Sequence, residues 1–232
     1  MRPTLLLTRP EPQSARFAAE FRAAFAPDWP VVISPLMRTV WVGDLPDLDG
    51  IGDVIFSSET AVKAWCRQTA RRDLLAWCVG SRTGQAARQA GFSVREGPGD
   101  AGGLAALIRA ERPGVRMVWP HGQHVAEDIA ELLKPAGIET LSCVVYDQRS
   151  IPPTPEATAL LAGTAPVLLP LFSARSGQLL ARQPIACPLF VALLGPAIPA
   201  PASAREVVAA TRPDSASMLD ALRRLAQLAA AG

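Results

Sequence analysis

The chain has 232 residues, 49% of them hydrophobic and 19% charged, with a formal net charge of +2. That length allows one large domain or two small ones, with two favoured, and the apolar content supports a folded core and excludes a disordered chain. So small a charge, with no Lys/Arg-rich block or aromatic-basic stripe, argues against a nucleic-acid binder.

Lys63 and Lys134 are the only lysines, so 21 of the 23 basic residues are arginines. Codon bias in a GC-rich genome accounts for this, and so does a preference for bidentate recognition of carboxylates. Cys66, Cys78, Cys143 and Cys187 are scattered with no C-x-x-C pair, and the apolar part of "MRPTLLLTRP" is too short for a signal peptide. Reduced thiols in a cytoplasmic protein are therefore expected. The uncharged stretch from Pro184 to Ala204 is long enough to span a bilayer, but its five prolines would break a spanning helix. A buried strand at "CPLFVALLG" followed by a Pro-rich loop, and no membrane span, is the expectation.

In chain order, "TLLLTRP" reads as a buried strand. "EPQSARFAAEFRAAF" follows as a helix with Phe17, Phe21 and Phe25 on one face. "WPVVISPL" and "GDVIFSS" are strands, "ETAVKAWCRQTA" a helix, and "AWCVG" leads into the helix "SRTGQAARQAG", which Gly91 ends. "FSVREG" is strand-like and "GGLAALIRA" helical. The second half repeats the alternation: "VRMVW", the helix "HVAEDIAELLKPAG", "ETLSCVVY", "APVLLPLF", "PLFVALLG", and a last helix "SMLDALRRLAQLAAA". Ser217 with Asp220 three residues on suggests a capping box for that helix. Strand and helix in alternation predict a parallel α/β fold.

The halves share a spacing. Phe56 precedes Gly80 by 24 residues and Phe172 precedes Gly195 by 23; Gly80 to Leu104 and Gly195 to Leu219 are both 24. Arg9 to Pro35 and Pro120 to Tyr146 are both 26. A diverged duplication, about 1–112 and 113–232, is expected, giving two similar lobes with a ligand cleft between them.

Several motifs are weak. "GPGDAG" (Gly97, Gly99, Gly102) matches G-x-G-x-x-G, but the next strand ends in Pro120 and His121 rather than an acidic residue, so Asp100 at a helix start is the better reading. His121 and His124, near Glu127 and Asp128, fall short of a metal ligand set and read as a polar loop. No G-x-S-x-G elbow supports nucleophilic catalysis. What recurs is hydroxyls after strands: Ser57 and Ser58, Thr83 after Gly80, and Ser173 and Ser176. Any one is commonly an N-cap; several sets together suit a ligand with many carboxylates, since helix N-termini bind anions.

"LLLTRPEPQ", "SPLMRT", "DVIFSSETAV", "CVGSRTGQAARQAGF" and "GIETLSCVVYDQ", with weaker "LFSARSG" and "LLGP", resemble the uroporphyrinogen-III synthase family in order and spacing along nearly the whole chain. The resemblance implies two parallel-sheet, flavodoxin-like domains joined by a two-stranded connector, one discontinuous (1–35 plus 151–232) and one inserted (36–150). It implies a lyase that closes the linear tetrapyrrole hydroxymethylbilane into uroporphyrinogen III, with loss of water and inversion of ring D, on the route to haem. No cofactor and no metal is implied. Nor is a nucleic-acid or membrane partner; the protein would be a cytoplasmic monomer, with transient contact to the preceding pathway enzyme as a further expectation.

Tyr146, the only tyrosine in the chain, matches the family tyrosine and by that resemblance is the catalytic hydrogen-bond donor to the departing hydroxide; taken alone, a strand-end tyrosine is a structural residue. Ser58, Thr83 and Ser173 match family positions that bind substrate. Arg9 and Arg175 are carboxylate partners by placement. Two departures stand out: Ile198 in "GPAI" replaces the usual family threonine, with "PAIPAPAS" in place of a helix, and Thr60 stands where some members have a basic residue. The missing threonine favours the competing reading, a non-catalytic two-lobed tetrapyrrole- or small-anion-binding regulatory module.

Overall fold

A computed structural model describes residues 2–111 and 114–231. The chain opens with strand β1 (Thr4–Leu7) and helix α1 (Glu11–Ala24), which buries Phe17 and Phe21 and leaves Phe25 just past its end, stacked on Phe21 at 4.1 Å. Then come β2 (Val31–Ile33), β3 (Met37–Trp41), β4 (Ile51–Phe56), α2 (Glu59–Gln68), β5 (Leu75–Cys78), α3 (Ser81–Gln89), β6 (Ser93–Glu96), α4 (Ala101–Glu111) and β7 (Arg116–Gly122). They are followed by α5 (Ile129–Leu133), β8 (Thr140–Ser150), α6 (Pro155–Ala162), β9 (Val167–Leu171), α7 (Ala174–Leu180), β10 (Leu189–Leu193), β11 (Ala204–Ala209) and α8 (Ser215–Ala231).

Contacts divide the chain into two compact units, Met1–Arg38 with Arg149–Gly232, and Thr39–Gln148. The chain leaves the first unit through β3 and returns to it through β8. The first unit is a parallel sheet in the order β11-β10-β9-β1-β2. Alternation along each strand supplies both faces. Leu5, Leu7, Leu168 and Phe190 pack with Phe17, Phe21, Met218 and Leu222 of α1 and α8. Leu6, Leu169, Leu171 and Val191 pack on the opposite face with Leu161 of α6 and Leu180 of α7. This two-sided burial is why β1, β9 and β10 are continuous apolar runs. Each fully buried Leu or Phe contributes about 1.5–3 kcal/mol relative to exposure.

The second unit carries the order β3-β8-β7-β4-β5-β6. Phe56, Ala76, Cys78 and Val118 face Trp65 and Phe92 on one side. Ile55, Trp77, Met117 and Trp119 face Leu104 and Ile108 of α4 and Leu133 of α5 on the other. Its pairs are parallel from β6 to β8. At the edge, the Ile151 amide donates to the Leu36 carbonyl and the Val42 amide to the Val145 carbonyl, a register that runs β3 antiparallel to β8. This antiparallel edge is the departure from uniform parallel pairing.

Without β3, the two sheets share one topology. The order β2-β1-β9-β10-β11 repeats as β8-β7-β4-β5-β6, so each sheet joins the first two strands of one repeat to the last three of the other. That exchange explains how two tandem repeats make one discontinuous and one continuous unit. The boundary at 112/113 lies outside the described residues.

Local departures have local causes. The helix expected over "HVAEDIAELLKPAG" is only α5 and a 3-10 turn at 134–136, because Asp128 caps it, its carboxylate accepting from the Glu131 amide. The last helix starts at Ser215, capped by Asp214, whose carboxylate accepts from the Ser217 amide at 2.8 Å, so Ser217 is not its cap. No helix lies between β10 and β11; residues 194–198 are turns and bends, and Ile198 packs against the core beneath α6 and α7. All four cysteines are free, and burial pushes the Cys78 thiol up to about 12 and Cys143 to about 11. Among the described residues no helix is long and apolar enough to cross a membrane.

Asp53, on β4, is 7% exposed and accepts from the Trp77 indole N–H at 2.8 Å. Burial pushes its pKa above 3.8, against the Trp77 hydrogen bond. Below 3.8 both folded and unfolded chains hold the proton; as pH rises through the folded value, the folded state must ionise a buried acid and loses stability. Asp53→Asn keeps an acceptor for Trp77 and removes that cost. We expect the variant to melt higher than the parent at neutral pH, with the gap shrinking toward pH 4 in a thermal melt series. Equal melting at neutral pH would show that the charge costs nothing.

Candidate functional site

The turn after β4 carries Ser57 and Ser58. Ser58 is extended, and its Oγ accepts from the Ala61 amide at 3.1 Å, capping α2. Two strands away, β8 runs beside β7 in a register that shifts between His121 and Gly122: His121 pairs with Val144, and Gly122 with Tyr146. The extra residue, Val145, is a bulge, and such bulges re-aim the side chains that follow. Val145 is fully buried and Tyr146 is 9% exposed.

The bulge sets the Tyr146 ring across Gly122. A β-carbon at Gly122 would lie 2.5 Å from Cε2 and 2.7 Å from Cζ, so the ring needs a residue without a side chain there. The phenol oxygen then sits 3.0 Å from Ser58 Oγ. Burial pushes the phenol pKa up, while the hydrogen bonds with Ser58 and the Gly122 backbone pull against it.

Both hydroxyls open onto a pocket of about 520 Å³, lined also by Ser57, Trp119, Asp100 and Glu127. Trp119 forms its apolar wall, held by an indole N–H donated to Ser57 Oγ at 3.2 Å and by stacking on His121 at 4.1 Å. His121 is buried on β7 rather than in a loop. Its Nδ1–H donates to the Gly122 carbonyl at 2.8 Å and Nε2 meets Ser142 Oγ at 2.7 Å, so both ring nitrogens are occupied. His124 lies in the exposed segment at the pocket rim. Among the described residues no group of three His, Cys, Asp or Glu could hold a metal ion.

The glycine-rich "GPGDAG" is the cap of α4. Asp100 Oδ1 accepts from the Gly103 amide at 2.7 Å, and Gly99, at φ +120°, folds the chain back so that its amide donates to the Val79 carbonyl. Thr83 sits in the first turn of α3, 5% exposed and outside the pocket lining.

In the first unit, Arg9 follows β1 and Ser173 and Arg175 follow β9, the strand beside it. The Arg9 guanidinium lies over the Phe172 ring at 4.4 Å. Ser173 Oγ caps α7 by accepting from the Ser176 amide at 3.2 Å and shares a hydrogen bond with Ser176 Oγ at 2.9 Å. The loop with Ile198 rests on α7 at Gly177, where a β-carbon would lie 2.3 Å from the Pro199 carbonyl. Tyr146 and Ser58 are thus brought together, Thr83 stays within its helix, and Arg9, Ser173 and Arg175 share one sheet edge. Sequence reasoning misses Gly122 and Trp119; a glycine interrupting an otherwise apolar strand end is the available signal for the first.

The profile of uroporphyrinogen-III synthase HemD matches residues 16–219. The chain belongs to the uroporphyrinogen-III synthase family. No curated protein matches the sequence significantly. The fold is similar to the crystal structure of uroporphyrinogen-III synthetase from Helicobacter pylori 26695, at 12% identity and TM-score 0.65, over 97% of this chain and 100% of that one. It is also similar to a mutant uroporphyrinogen III synthase from the extremely thermophilic bacterium Thermus thermophilus, at 15% identity and TM-score 0.53, over 97% and 99%. At such identities these structures speak for the synthase fold, while the family profile speaks for membership. As a member of the synthase family, the chain is an enzyme of tetrapyrrole biosynthesis, and the Tyr146–Ser58 pair is its leading candidate site.

Proposed function

We propose that this chain is a lyase that closes hydroxymethylbilane into uroporphyrinogen III with inversion of ring D and loss of water. The observation that carries the reading is the family match over 16–219. The pocket chemistry supports it: none of its lining residues is Lys or Arg, so it suits the uncharged reacting end of a polycarboxylate better than its carboxylates. Tyr146 donates a hydrogen bond, and then its proton, to the departing hydroxide. Loss of that hydroxide leaves an azafulvene, which the substituted carbon of ring D attacks to give a spiro intermediate; fragmentation and reclosure invert the ring. Holding one conformation of a reactive chain is the larger part of the work.

Arg9, Ser173 and Arg175, with Ser58 and Thr83, are the proposed substrate-binding set, supported by their places at the carboxyl edges of the two sheets. We assign the protein to the cytoplasm as a monomer needing no cofactor, with passing contact to the enzyme that supplies its unstable substrate. Enzymatically generated hydroxymethylbilane, followed by oxidation and separation of the porphyrin isomers, tests the reading. Type III product above the blank is expected; type I product alone would leave the non-catalytic module.

A further inference from the structure

Two hydroxyls in contact share one hydrogen bond and leave one O–H over. Tyr146 Oη and Ser58 Oγ are 3.0 Å apart. Ser58 Oγ already accepts from the Ala61 amide, and both side chains line the pocket, so the spare O–H is available to a ligand. In one arrangement Tyr146 donates to Ser58 and the serine proton faces the pocket. In the other, Ser58 donates to Tyr146 and the phenol proton faces it. A phenol ionises near pH 10, far below an alkyl alcohol, so only the second arrangement offers an acid.

We propose that Ser58 is the positioning residue for Tyr146: its hydroxyl donates to the phenol oxygen, aims the phenol proton into the pocket and holds the phenolate left behind. This rests on the lyase reading above. The step balances within that reaction. The C–O bond of the hydroxymethyl group breaks, the pyrrole nitrogen supplies the electron pair, and the phenol proton leaves with hydroxide as water. The phenolate is held by the Ser58 hydroxyl and by the Gly122 backbone, the second hydrogen bond to that oxygen. The proton released when the last ring regains aromaticity returns to it. Ser58 thus joins two roles, one toward the helix through Ala61 and one toward the acid, which is why a hydroxyl suits this cap better than a carboxylate.

The single tyrosine makes this measurable without substrate. Biosynthetic replacement by difluorotyrosine places one fluorine reporter in the chain and brings the phenol titration to a pH where the protein is folded. Ser58→Ala and Ser58→Gly remove the hydroxyl, and glycine remains a competent cap, which separates the phenol effect from helix loss. Ser58→Thr retains the hydroxyl. We expect the Ala and Gly variants to titrate about one pH unit higher than the parent, and the Thr variant to titrate with it. In unlabelled protein, kcat should fall about tenfold in the Ala and Gly variants, a larger change than any in KM, and the Thr variant should keep the parental kcat. Titration curves of Ala and Gly variants that coincide with the parent would overturn the proposal, even if the parent forms type III product. A shifted titration in a parent that forms only type I product would uphold the hydrogen-bond arrangement and remove the lyase reading instead.

Discussion

Tyr146→Phe is expected to lower kcat by about a hundredfold or more while leaving the fold in place, since a positioned general acid contributes roughly 10²–10⁴. The ring survives the change and keeps its contacts in the core formed by Phe56, Val118 and Val145. What is lost is one hydroxyl with two partners, the Gly122 backbone and Ser58, of which Ser58 faces the pocket and retains the Ala61 amide. The stability cost should therefore stay within about 3 kcal/mol, the usual net worth of two such hydrogen bonds. Single-turnover rates and product isomers are the measurements. Slower catalysis gives uncatalysed closure more time, so the type I fraction should rise with the fall in rate. A Phe variant with parental turnover would relegate the phenol to packing.

Gly122→Ala should match that loss from the opposite strand. The new β-carbon would lie 2.5 Å from Cε2, 2.7 Å from Cζ and 3.0 Å from the phenol oxygen. The ring must move, because the β-carbon is fixed to the backbone of β7. Overpacking of this kind costs about 1–3 kcal/mol of stability, and the displaced oxygen leaves Ser58. A double variant with Tyr146→Phe separates the two consequences. Once the phenol is absent, adding Ala at 122 should barely lower kcat further, although its effect on melting should persist. Additive losses in kcat would mean that Gly122 serves the reaction by some route other than the tyrosine.

Much of the scaffold can be read along the chain because it rests on local pattern. Leu5–Leu7, Val167–Leu171 and Leu189–Leu193 are apolar without interruption, as strands covered on both faces must be. Phe17 and Phe21 repeat at helical spacing. The differences lie where pattern is weak or a partner decides. β11 is mostly exposed, with Arg205 and Glu206 side by side ahead of Val207 and Val208 and so no alternation to mark it, and it is a strand because β10 offers an edge. Residues 120–122 look like the end of an apolar run, yet β8 continues past them and keeps them in the sheet. α6 has no counterpart among the expected elements, although Thr154 and Pro155 mark its start, the threonine accepting from the Ala157 amide.

The same division runs through the site. Sequence placed hydroxyls after strands and Asp100 at a helix start, and Ser58, Ser173 and Asp100 do cap the helices that follow, because capping is settled within three residues. It also supplied the repeat spacing, which reappears as two sheets of equal strand order. Only the tertiary structure brought Tyr146 to Ser58, 88 residues away. Which face a strand residue occupies depends on register, and a single bulged residue changes it. That bulge belongs to the pairing of β7 with β8, not to either strand by itself, and it needs the bare backbone of Gly122 to seat the phenol.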